Sequence, residues 1–167
     1  MSRLCISFLF LIFLSTCAEW ASAPLPPARR AYGLHLNVAT IKGKEKLCYG
    51  HGRFAIIRDL EDLSQHEAYP GHLVKVNVVS VSPNGSWVVS GDEGGNTKVW
   101  GYPNQIVKSE LRIGQCINDA RWTADSSKIV AGGNGNQEYV KAFRYDTPNA
   151  LGKIDRLTSQ VRTYRTQ

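Results

Sequence analysis

GHLVKVNVVSVSPNGSWVVSGDEGGNTKVWGY, residues Gly71 to Tyr102, alternates apolar and polar side chains in short runs broken by turn residues. Val74, Val76 and Val78 alternate along the first run, Ser82-Pro83-Asn84-Gly85 breaks it, and Trp87-Val88-Val89 resumes it. Gly91-Asp92-Glu93-Gly94-Gly95 breaks the pattern again before Lys98-Val99-Trp100 closes it. Period-two β-branched runs bounded by Pro, Asn and Gly read as antiparallel strands joined by tight turns. Gly71-His72 opens the stretch and Trp100 closes it, a separation of 100 − 72 = 28 residues. That opening and closing over such a span mark one four-stranded blade of a propeller.

The pattern recurs. Moved forward by 41 residues, Asn77 to Gly85 falls on Asn118 to Ser126, and Ser90-Gly91 falls on Ala131-Gly132. Phe143-Arg144-Tyr145-Asp146 takes the closing slot. Moved backward by 41, Ser90-Gly91 falls on Tyr49-Gly50, with Ile56 to Asp59 closing after a one-residue slip. A period of this length means stacked units, because one blade cannot bury both of its own faces. The expected strands of the first blade are Leu34 to Ile41, Lys46 to Tyr49, Arg53 to Asp59 and a short outer one at Glu67 to Tyr69. The second blade's outer strand lies near Ile106 to Leu111. The third has Ile117 to Trp122, Lys128 to Gly132, Val140 to Tyr145 and Leu151 to Ile154.

The 167 residues therefore hold about three blades. A closed ring takes roughly four to eight, so this is a partial propeller with open strand edges. The expected organisation is a leader at 1–23, a Pro/Arg-rich connection at 24–33, blades at 34–70, 71–112 and 113–155, and a basic tail at 156–167. In the leader, Arg3 precedes an uncharged run from Leu4 to Leu14, 11 residues long, with small residues at Ala18 and Ala21-Ser22-Ala23. The layout is that of a secretory signal and too short for a membrane span. Pro24 disfavours a cut after Ala23; a cut after Ala18, with Thr16 two before it, is the other site the run offers. A wrongly assigned start would leave the same run. Leu157, Val161 and Tyr164 fit helix and strand equally and receive no assignment.

The net charge of +6 is moderate, and half of it comes from Arg156, Arg162 and Arg165 in the tail. Basic and aromatic residues do not gather on one face, so a nucleic-acid partner is not expected. Without the leader, Cys48 and Cys116 remain, in different blades, with neither zinc nor redox spacing; both are expected to be buried free thiols. No metal and no cofactor is expected. Asp59, Glu61, Asp62 and Glu67 read as a solvated acidic surface. Gly91 to Gly95 lacks the Lys and following helix of a phosphate loop and reads as a hairpin turn. Asn84-Gly85-Ser86 fits the glycosylation triplet, which counts only for a secreted chain, and reads more simply as a type I′-like turn.

His72, Ser90 and Trp100 are placed as a hydrogen-bonded group tying the blade's opening loop to its third strand. Such a group usually includes an Asp before that strand. Counted from Ser90 the slot holds Gly94, so the network is expected to be incomplete. A catalytic role for His72 and Ser90 is disfavoured because Ser90 lies within a strand, with no elbow turn and no placed acid.

Three segments carry a closer resemblance. Lys46 to Leu60 (KLCYGHGRFAIIRDL), Ser82-Pro83-Asn84-Gly85 with Ser90-Gly91-Asp92, and Ile117 to Ser126 (INDARWTADS) resemble the opening blades of the actin-interacting protein family, the WD-repeat partner of cofilin. Ala23-Pro24-Leu25-Pro26 with Arg29 resembles that family's start, and the family too lacks an Asp at the slot of Gly94. The resemblance covers roughly residues 21–155. It implies a non-enzymatic WD-repeat protein that binds actin filaments, promotes cofilin-driven disassembly and resides in the cytoplasm. The family has two joined seven-bladed propellers, and the resemblance covers only the opening blades of the first, so it also implies a truncated copy. A Lys-Phe pair that contacts actin in the family falls here on Glu138-Tyr139, where the aromatic ring is kept and the charge reversed. The open alternative is a secreted or generic WD-repeat interaction scaffold.

Overall fold

The structure, a computed structural model, describes residues 35–135 and 140–154. The leader, the connection at 24–33, the tail at 156–167 and the pair Glu138-Tyr139 lie outside the described residues. The described residues form twelve strands and no helix. The first sheet contains β1 (Asn37–Ile41), β2 (Lys44–His51), β3 (Phe54–Asp59) and β4 (His66–Tyr69). The second contains β5 (Val76–Val81), β6 (Trp87–Asp92), β7 (Asn96–Gly101) and β8 (Val107–Arg112). The third contains β9 (Cys116–Trp122), β10 (Lys128–Asn134), β11 (Val140–Arg144) and β12 (Thr147–Ile154). Each sheet is a four-stranded antiparallel meander in sequence order, as the repeat predicts.

Turn chemistry sets the registers. Lys42 (φ 51°) and Gly43 (φ 77°) both take left-handed conformations between β1 and β2, the two-residue connection that matches strand twist. The turn after β5 is different. Gly85 N–H donates to Ser82 C=O at 2.8 Å, and of its residues only Gly85 (φ 70°) is left-handed. It is therefore a type I turn followed by a left-handed glycine, not the type I′-like turn expected, because Pro83 holds the first central position in the ordinary φ range.

The middle sheet is buried on both faces. Val76, Val79, Val81, Val88 and Trp100 pack toward the first sheet, against Ile41, Cys48, Ala55, Ile57 and Tyr69. Val78, Val89 and Val99 pack toward the third, against Ile113, Ile117, Ala120, Ile129, Ala131 and Phe143. A register shift between Val76 and Val78 inserts Asn77, so Val76 and Val79 share a face although they are three apart. Sheets that cover one another in this way are propeller blades.

Two glycines show how closely the blades approach. A Cβ on Gly50 would lie 2.3 Å from the carbonyl oxygen of Val76, and one on Gly91 would lie 2.5 Å from Ile117 Cγ2. Both members of the second pair lie 41 residues beyond those of the first (50 + 41 = 91; 76 + 41 = 117). The second strand of each of these blades thus needs a missing side chain where the next blade's inner strand begins.

The acidic run is not one solvated face. Asp59 is buried, accepts a hydrogen bond from Lys46 Nζ at 2.9 Å and caps the N–H groups of Glu61 and Asp62. These donors, Lys46 first, hold its carboxyl down to about 2. Glu67 accepts from the Tyr102 hydroxyl at 3.0 Å, linking the first blade's outer strand to the second blade.

Candidate functional site

The tether of the second blade is a closed chain of hydrogen bonds. His72 Nδ1 lies 2.8 Å from Asp92 Oδ2, and His72 Nε2 lies 2.7 Å from Ser90 Oγ. Trp100 Nε1–H donates to the same Ser90 Oγ at 3.1 Å. A carboxylate can only accept, so Nδ1 carries the proton, Nε2 is the acceptor, and the Ser90 hydroxyl donates to it. Burial pushes the imidazole pKa below its ordinary value, against the opposing pull of Asp92, which suits this neutral ring.

Asp92 completes the network that the Gly94 slot leaves open. Its other oxygen, Oδ1, accepts the backbone N–H of Gly94 and of Asn96, both at 2.9 Å. One side chain therefore caps the turn between β6 and β7 and anchors the histidine. The expectation of an incomplete network is overturned: the carboxylate comes from the end of β6 instead of from the turn. A short acid heading a Gly-Gly turn is a local signal for such capping, and it was available in the sequence.

Asp92, His72 and Ser90 stand in the order of a hydrolytic triad, yet they are sealed. Ser90 is 0% exposed, Asp92 1% and His72 2%, and Tyr69 stacks on Trp100 with ring centroids 4.3 Å apart. A nucleophile under this lid meets no substrate, and its oxygen is already engaged by the indole. The arrangement can hold a loop in place and do little else.

The inner strands β1, β5 and β9 meet in a second polar group. His35 Nε2 lies 2.7 Å from Asp119 Oδ1, and Arg121 Nε lies 3.3 Å from the same oxygen. Asn37 donates to Ser80 Oγ at 3.0 Å, and Trp122 Nε1–H to Ser80 C=O at 3.1 Å. The first and third blades are thereby joined across 84 residues of sequence. Beside this group lies an open depression of about 370 Å³ between β1, β5 and β9.

Among the described residues no group of three or more His, Cys, Asp or Glu side chains is arranged to hold a metal, and no helix is long and apolar enough to cross a membrane. Cys48 and Cys116 are free thiols. Cys48 is buried and its pKa is pushed up to about 12, whereas Cys116 is only partly buried.

Three stacked meanders, the second of them tied by a His–Ser–Trp–Asp chain, form an array of WD-repeat propeller blades. Residues 63–101 match the family model for the WD domain, G-beta repeat. Over 135 residues the chain is 34% identical to actin-interacting protein 1 of Drosophila melanogaster, a match spanning 79% of this chain and 22% of that protein. It is 32% identical over 139 residues to actin-interacting protein 1-2 of Arabidopsis thaliana, spanning 80% of this chain and 22% of the relative. It is 28% identical over 135 residues to WD repeat-containing protein 1-B of Xenopus laevis, spanning 79% of this chain and 22% of the relative. The sequence is thus that of an actin-interacting-protein-1-like WD-repeat chain spanning about a fifth of the length of these relatives.

Proposed function

We propose that this chain is a non-enzymatic WD-repeat protein that binds actin filaments and, with cofilin as a partner, promotes filament disassembly at the cytoplasmic actin cytoskeleton. The observation that carries this is the 34% identity over 135 residues to a protein named for its interaction with actin. The sealed His72 and Ser90 support a binding role over a chemical one. Co-sedimentation with actin filaments tests it, with and without cofilin. The chain is expected in the pellet and is expected to raise the released actin when cofilin is present. A chain that stays in the supernatant under both conditions refutes the reading. Glu138-Tyr139, the position carried over from the family's Lys-Phe pair, is proposed as a weaker contact, since Glu138 reverses the charge. Replacing Glu138 with Lys is expected to increase pelleting.

The leader-like run at 1–23 and the exposed Asn84 in an acceptor triplet favour a second reading, a secreted WD-repeat scaffold. Recovery from culture medium of a chain beginning near Glu19 and bearing a glycan at Asn84 would support it.

A further inference from the structure

The two apolar cores join neighbouring blades: one is shared by the first and second, the other by the second and third. Two polar contacts along the inner strands reach from the first blade directly to the third. His35 Nε2 lies 2.7 Å from Asp119 Oδ1, and Arg121 donates to Asn37 Oδ1 at 3.4 Å; the members of each pair are 84 residues apart. Ser80 of β5 is held between them, accepting Asn37 Nδ2–H on its hydroxyl oxygen and Trp122 Nε1–H on its carbonyl.

Asp119 stands in the slot of Val78 (78 + 41 = 119), where the second blade has an apolar side chain that is 0% exposed. A carboxylate in such a slot is costly unless donors meet it. Its Oδ1 has three: His35, the Ala120 N–H at 2.9 Å and Arg121 Nε at 3.3 Å. His35 is committed to the same contact. Its side chain is only 9% exposed, and a carboxylate only accepts, so Nε2 carries the proton that faces Asp119. The other ring nitrogen, Nδ1, is buried with no partner among the described residues. A buried imidazole with one nitrogen unmet is held in place through the other. Apolar packing is non-directional, whereas hydrogen bonds fix a direction. The polar pairs can therefore set an angle that the two cores leave open.

We infer that the His35–Asp119 and Asn37–Arg121 pairs form a clasp that fixes the angle between the first and third blades, so that the three sheets move as one body. The test is a double-mutant cycle on the full chain, His35→Ala with Asp119→Ala, read by urea unfolding and by amide exchange. The reporter amide is Val76, whose N–H crosses from the second blade to the Gly52 C=O of the first at 2.7 Å. The two substitutions are expected to couple, the double variant losing about tenfold less in folding constant than the product of the single losses. Each single substitution is expected to speed exchange at Val76 about tenfold relative to the amides of β6, because the blades part before the middle sheet does. Where Asp119→Ala fails to fold, Asp119→Asn keeps the shape, removes the charge and carries the same expectation at Val76. Multiplicative losses would overturn the clasp. Coupling accompanied by equal acceleration at Val76 and in β6 would reduce the pair to a local stabilising contact and overturn it as well.

Discussion

His72 is held through Nδ1 by Asp92, a residue two positions upstream of the Gly94 slot where such a carboxylate is expected. The swap works because Asp92 ends β6 and its two oxygens face different ways, one toward the imidazole and one toward the N–H groups of Gly94 and Asn96. Replacing Asp92 with Ala should orphan a buried imidazole N–H and uncap the turn, at a cost of about 3 kcal/mol in urea unfolding. Gly94 has an ordinary φ, and two of the atoms nearest a Cβ there, Asp92 Oδ1 and Asn96 Nδ2, are at 3.3 and 3.2 Å. Removing the Asp92 carboxylate clears one of them. Gly94→Asp in the Asp92→Ala background should therefore recover part of the loss. No recovery would mean that the two positions are not interchangeable.

The neutral His72 makes stability depend on pH. Its folded pKa lies below the ordinary 6.5, lowered first by burial and then by Lys98, and raised by Asp92 and Glu110. The unfolded chain therefore binds the proton first, so stability is complete above about pH 6.5 and falls as the pH drops below it. Urea midpoints measured between pH 8 and 5 should decline over the acid half of that range. His72→Gln, less stable throughout, should show a flatter decline; an equal slope would assign the effect elsewhere.

Cys48 should be chemically silent while the chain is folded. Desolvation raises its thiol to about 12, with Lys46 pulling the other way, so almost no thiolate exists near neutrality. Of the two described thiols, a disulfide reagent at pH 8 should label Cys116 before Cys48, and Cys48 only at the rate of unfolding. The linkage has the opposite sense to that of His72. The contribution of the neutral Cys48 thiol is present below about pH 9 and is lost as pH rises toward 12. Rapid native labelling of Cys48 would contradict the sealed first core.

Blade spacing rests on two glycines in equivalent places. Alanine at Gly50 would meet the Val76 backbone, and alanine at Gly91 would meet Ile117. Neither contact is the far end of a flexible chain, so each substitution should cost about 2 kcal/mol or more. Gly43→Ala is the control: nothing lies within 4 Å, and only its φ of +77° resists the change, at about 1 kcal/mol. Equal losses at all three positions would show that backbone conformation, not blade approach, sets the cost.

Much of this was legible beforehand. The four-stranded units, their order and their spacing follow from Val76 to Trp100 and its two shifted copies, because strand alternation and turn residues act within a few positions of one another. His72, Ser90 and Trp100 were recognisable as partners for the same reason, since the repeat places them. Asp92 was missed because counting along a template assigns the carboxylate to a slot, whereas its real position depends on how β6 ends. Asp59 looked like one acid among four on a loop, and its pairing with Lys46 appears only when β2 lies beside β3.

The sequence by itself determined an all-β chain of stacked blades with a histidine tether and a resemblance to actin-interacting proteins. Periodicity, turn chemistry and repeat spacing are local properties of the chain. Only the tertiary structure decided which oxygen holds His72 and that His35 and Asp119 meet across 84 residues. Those outcomes depend on how the twisted sheets lean on one another, and that packing brings together side chains which no short window of sequence relates.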